Sequence, residues 1–169
     1  MATENGVNCF QAIAYWLQPC ISDDAESGRL LAYSEINVTA VSHQAFCREI
    51  LDSFLNKYLF QQQNINWHDG NVVSGPSIVV CPKLSRLTDD IKATLGALDI
   101  KGKPKIMLVV IHSCEDGVVP ENLLTNRPDD RISDFTNILY SESKNSCYDS
   151  FTNSVAAHDI RRFIKYHFN

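Results

Sequence analysis

Apolar residues along the chain fall into blocks whose spacing switches between a helical and an extended period. Asn8 can cap a helix over 9–18 with Phe10, Ile13, Ala14 and Leu17 on one face; Pro19 ends it, and a polar connection follows over 22–28. Residues 29–35 read as a short strand. Over 42–60 the apolar residues Phe46, Ile50, Phe54, Leu55, Tyr58 and Leu59 recur at helical spacing with Arg48, Glu49, Asp52 and Lys57 between them, which predicts an amphipathic helix. A weak strand over 64–67 leads to a loop over 68–76. The β-branched run 77–81 reads as a buried strand stopping at Pro82. Ser85 or Thr88 can cap a helix carrying Leu87, Ile91, Leu95 and Leu98, terminated between Gly96 and Gly102. Residues 105–111 form the most hydrophobic run and predict an interior strand. A strand over 135–140 and a helix over 152–167, with Val155, Ile160, Phe163 and Ile164 on one stripe, complete the chain.

Continuous apolar strands alternating with amphipathic helices predict an α/β fold: a three-layer, flavodoxin-like sandwich around a mostly parallel sheet of about five strands. The expected organisation is an amino-terminal helix and linker over 1–28, then a single α/β domain over 29–169. Functional loops in such sheets lie at the carboxyl ends of the strands, here 34–41, 68–76, 81–85, 112–120 and 141–146.

With 169 residues, 44% hydrophobic and 21% charged, the chain can bury a true core and is no candidate for disorder. The net charge of −5 and the absence of a long basic run argue against nucleic acid, and no apolar stretch reaches the 18 residues of a membrane span. The first residues lack the basic and apolar regions of a signal peptide, and none of the six cysteines stands in a close CxxC pair. Six reduced thiols in a cytoplasmic protein are the expectation, with no metal and no cofactor. Neither GxGxxG, GxxxxGK[ST] nor GxSxG occurs, so phosphate-cradling loops and a serine nucleophile elbow are not expected.

The densest reactive cluster is His112-Ser113-Cys114-Glu115-Asp116, at the end of the interior strand. A thiol there can be activated by an imidazole, though Cys is also among the commonest buried residues. Lys103-Pro-Lys-Ile-Met-Leu-Val-Val-Ile-His-Ser-Cys114 resembles the caspase strand that starts GKPK and ends at a catalytic cysteine. His68-Asp-Gly70 would then stand for the caspase His-Gly, and 134–141 for the strand opening the small subunit. This resemblance implies a cysteine peptidase, or an inactive relative, using His68 and Cys114. Glu115 replaces the basic residue that follows the family's cysteine.

A second resemblance covers 29–167. The strand Arg29-Leu-Leu-Ala-Tyr-Ser-Glu35 before a long helix looks like the opening of a TIR or SEFIR domain; 67–76 sits where that family has its BB loop, and Ile78-Val-Val-Cys-Pro82 is similar to its strand ending in Ser-Pro. The Trp-Cys-x-x-Glu-Leu pattern holding the glutamate of NAD-cleaving members is missing, so the resemblance implies a signalling adaptor of innate immunity that binds rather than hydrolyses. The expected function is therefore a protein-interaction module whose partner is a protein, a second copy of this chain included. Trp67, His68, Asp69, Asn71, Val72, Val73 and Pro76 are the expected contacts, with the valines exposed.

Overall fold

The computed structural model describes residues 35–59 and 64–168. The readings placed on 1–28, and all but Glu35 of the strand expected at 29–35, lie outside them. The elements in order are β1 (Ile36–Ala40), α1 (Gln44–Tyr58), β2 (Ile65–His68), β3 (Val72–Val73), β4 (Ser77–Lys83), α2 (Leu87–Ala97), β5 (Asp99–Ile100), β6 (Ile106–Ser113), β7 (Asp134–Ser141), β8 (Ser146–Cys147) and α3 (Phe151–His167).

The architecture is α/β, with a mixed but mostly parallel six-stranded sheet in the order β2-β1-β4-β6-β7-β8. The first five strands are mutually parallel, and β8 returns antiparallel to β7. A separate parallel pair joins β3 to β5. The expected interior strand is confirmed: β6 lies between β4 and β7, and every residue from Ile106 to His112 is buried. Two-sided cover explains why this run is apolar without alternation. Ile78, Val80, Met107, Val109 and Ile111 face α1 and α3, packing on Leu51, Phe54, Ile160 and Phe163. Val79, Cys81, Leu108 and Val110 face the other way, against Ile91 and Leu95 of α2 and against Val73 and Ile132. Each such aliphatic side chain contributes about 1.5–3 kcal/mol on burial.

Several boundaries differ from the sequence reading. Residues 36–40, expected in a loop, form β1, because Ile36, Val38 and Ala40 are buried between β2 and β4. β4 runs through Pro82 to Lys83; its pairing with β1 ends at Val80, so one side is open where proline's missing N–H would otherwise cost a ladder bond. Neither Ser85 nor Thr88 caps α2. Its N-cap is Arg86, and Asp90 reaches back to accept hydrogen bonds from the N–H groups of Leu84 and Ser85, both at 2.8 Å. Val155 is 39% exposed and lies off the inward stripe of α3, which is Ala156, Ala157, Ile160, Phe163 and Ile164. The start of α3 is fixed by Ser150, whose Oγ accepts from the Asn153 N–H, and by the buried Asn153 side chain, which spans the Leu139 N–H and C=O and the Tyr148 carbonyl.

Candidate functional site

β4, β6 and β7 all end at one edge of the sheet, and a cleft of about 650 Å³ opens between their ends. Lys83 and Leu84 line it from β4, Ser113, Cys114 and Glu115 from β6, Glu142 and Ser143 from β7, and Phe46 from α1. Two contacts fasten its walls. Ser113 donates its hydroxyl hydrogen to Glu142, and Lys144 pairs with Asp116. Leu84 is 57% exposed, and Val118 and Val119 stand about half exposed on the loop after β6.

Cys114 is half-buried, and its N–H extends the ladder by donating to Tyr140 O at 3.0 Å. Its sulfur lies 3.1 Å from the Tyr148 hydroxyl, 3.6 Å from the His112 carbonyl and 3.8 Å from the Tyr140 carbonyl. The single hydroxyl hydrogen of Tyr148 is directed at Val118 O. Among the described residues, that leaves three oxygen atoms, and no imidazole or cationic group, in contact with the sulfur. Burial, then the bond to Cys114, pushes the Tyr148 hydroxyl well above the ordinary phenol range, so it stays protonated and in place.

His68 does not join this group. It sits on β2, where its Nε2 donates to Asn37 Oδ1 at 2.9 Å. The register links His68 to Thr39, Thr39 to Val79 and Val79 to Leu108, six positions before Cys114. Three strand spacings across and six residues along put the pair about 14 Å apart in one direction and about 20 Å in the other. No proton passes directly between them. Lys83, which is paired with His112 in the ladder, lines the same cleft as Cys114.

The other imidazole near the cleft is His112, fully buried beneath its floor. Nε2 lies 2.9 Å from Asn137 Oδ1, which also accepts from Leu124 N, so the ring donates from Nε2 and Nδ1 carries a lone pair. Nδ1 has no hydrogen-bond partner. Burial, offset in part by the Asn137 bond, holds the ring below the usual histidine range and neutral. Burial likewise pushes the Cys47 and Cys147 thiols up to about 12, which removes them as nucleophiles near neutrality. No group of three or more His, Cys, Asp or Glu side chains among the described residues could hold a metal ion.

The 68–76 segment is exposed over 68–72 and at Ser74, as expected, but it is tied down along its length. It joins two parallel strands, so it must cross from the carboxyl edge back to the amino edge, and it makes that crossing with no helix of its own. Near its start the Asp69 and Gly70 carbonyls accept from Gln44 and Thr39; Asn71 then donates to the Ala97 carbonyl at the end of α2, and Pro76 O accepts from Asn37. Val72 is 53% exposed as expected, but Val73 is 2% exposed and lies in the core beneath α2, which corrects its place among exposed contacts. Strand alternation is the reason: β3 pairs with β5, and successive side chains take opposite faces. Trp67 is engaged as well, donating from Nε1 to Asp52 while Arg48 lies over its ring.

Lys83, Leu84, Phe46, Glu142 and Tyr148 were missed individually. Lys83, Leu84 and Glu142 lie in strand-end loops that the pattern located and Phe46 in the expected helix, whereas nothing local in the sequence ties Tyr148 to Cys114. Comparison with protein-family models, with curated proteins and with solved structures returned no match.

Proposed function

We propose that the domain is a cytoplasmic, non-catalytic protein-interaction module that engages a protein partner through the carboxyl edge of its sheet. The observation supporting this is a cleft whose cysteine has no imidazole or carboxylate among its contacts with the described residues and whose lining includes the exposed Leu84, with Val118 and Val119 exposed on the loop after β6. Exposed aliphatic side chains around a concavity are the usual anchors of small protein interfaces. Numbered by appearance, the five parallel strands run 2-1-3-4-5, the order of flavodoxin-like sheets, which supports a three-layer domain of that kind and the TIR/SEFIR-like adaptor reading.

A second reading, an inactive relative of caspase-like peptidases, draws support from two boundaries. β6 ends at Ser113, immediately before Cys114, and β7 spans Asp134–Ser141, the segment resembling the small-subunit strand. On both readings the cleft binds and does not cleave. The test has two arms. A fluorogenic peptide library incubated with the pure protein should show no turnover; cleavage that disappears in Cys114→Ala would overturn the proposal. A partner purified to homogeneity should bind the double variant Leu84→Asp/Glu115→Lys at least tenfold more weakly, with thermal stability unchanged, a loss of about 1.4 kcal/mol. Undiminished affinity would place the interface elsewhere.

A further inference from the structure

A second cavity, of about 620 Å³, opens at the opposite edge, where β6 and β7 begin. Its lining is basic although the chain as a whole carries a net charge of −5. The turn at Gly102, whose φ of +74° suits glycine, delivers Lys103 and Lys105 to one wall, with the rigid Pro104 between them. Arg127 stands on another wall, its guanidinium steadied by a bond from Nη2 to Ser133 O at 3.4 Å.

The charge of these three side chains is uncompensated. The fourth cation, Arg131, forms a two-pronged pair with Asp129, with N···O distances of 2.8 Å, and that guanidinium holds the carboxyl down to about 2. Of the two acids in the lining, Asp134 is bonded to Arg162, which it shares with Asp159. Lys103, Lys105 and Arg127 have no ion-pair partner among the described residues, and the acids of the lining are Asp130 and the partly compensated Asp134. Three cations outside any ion pair line one concavity against Asp130 and a shared Asp134, which leaves the lining net positive. Two ammonium point charges and a planar guanidinium fork match a phosphate group, and the volume lies within the range of small-molecule sites.

We propose that this amino-edge cavity binds a small ligand carrying a phosphate or diphosphate group, held by Lys103, Lys105 and Arg127 without a glycine-rich loop. The proposal does not depend on the function argued for the carboxyl edge. The probes are inorganic phosphate, pyrophosphate and a nucleoside diphosphate, titrated into the full chain by calorimetry and by thermal unfolding at fixed ionic strength. Pyrophosphate at ten times its dissociation constant should raise Tm by about 3–5 °C. Tighter binding of the nucleotide than of pyrophosphate would assign the source to a nucleotide, and equal binding to the diphosphate alone. The variant Lys105→Glu/Arg127→Glu should lose at least tenfold in affinity, while Lys83→Glu at the other edge should not. Equal shifts from chloride or sulfate at matched ionic strength, or undiminished binding by the double variant, would overturn the site. If the Glu variant fails to fold, Lys105→Gln/Arg127→Gln carries the same test with no added charge.

Discussion

His112 shows at the level of one residue how burial fixes protonation. Its Nε2–H is committed to Asn137, and a proton added at Nδ1 would find no acceptor in a fully buried site, with the Lys83 charge nearby adding to the cost. The folded value therefore lies below the unfolded value of about 6.5, and the unfolded chain binds the extra proton first. The contribution to stability is complete above pH 6.5 and is lost as pH falls through the folded value. The expected outcome is a stability difference between the parent and His112→Gln that shrinks below pH 6.5, by at most about 1.4 kcal/mol per pH unit for the one proton. Urea unfolding at pH 7.5, 6.5 and 5.5 measures it, and parallel slopes for the two proteins would show that the ring is protonated in the folded state. At this scale the sequence identified His112 and Cys114 as chemical candidates, but hydrogen-bond partners contributed by Asn137 and Tyr148, 25 and 34 positions away, decide what they can do.

At the scale of elements, legibility followed periodicity. The helix at 44–58 and the strand at 106–113 were readable because their buried positions repeat within a single segment: Ile50, Phe54 and Leu55 on one helical face, and an unbroken apolar run in the strand. The pairs β3–β5 and β7–β8 were not readable, since each of β3, β5 and β8 is two residues long and exists through a partner distant in sequence or across a turn. The hairpin closing on β8 depends on Asn145 at φ 49°, a conformation asparagine tolerates better than most residues. In β3 the neighbours Val72 and Val73 look identical in sequence yet face solvent and core. Val73→Ser should cost about 2–3 kcal/mol, because it places a hydroxyl among Ile91, Leu95 and Leu98, whereas Val72→Ser should stay within about 0.5 kcal/mol. Chemical denaturation of the two single variants separates them. Equal costs would mean that the β3–β5 register is shifted by one residue.

For the whole molecule, the sheet acts as a rigid divider between two chemically different ends. The carboxyl edge presents the Cys114 cleft with exposed aliphatic side chains, and the amino edge presents the basic cavity. β6 alone, eight residues long and buried from Ile106 to His112, sets the ends about 26 Å apart. That distance exceeds two Debye lengths at physiological salt, so charges changed at one end are screened from the other. Mechanical coupling would have to pass through strands that are packed on both faces against helices and the crossover. The two sites should therefore behave independently. Leu84→Asp/Glu115→Lys, which alters the cleft, should bind pyrophosphate at the amino edge within a factor of about 2–3 of the parent, a coupling below about 0.5 kcal/mol. Calorimetric titration of both proteins under the same buffer decides it. A tenfold change would mean that the sheet transmits between its edges, and the strands to interrogate would then be β6 and β7, which both run from the approaches of one cavity to those of the other.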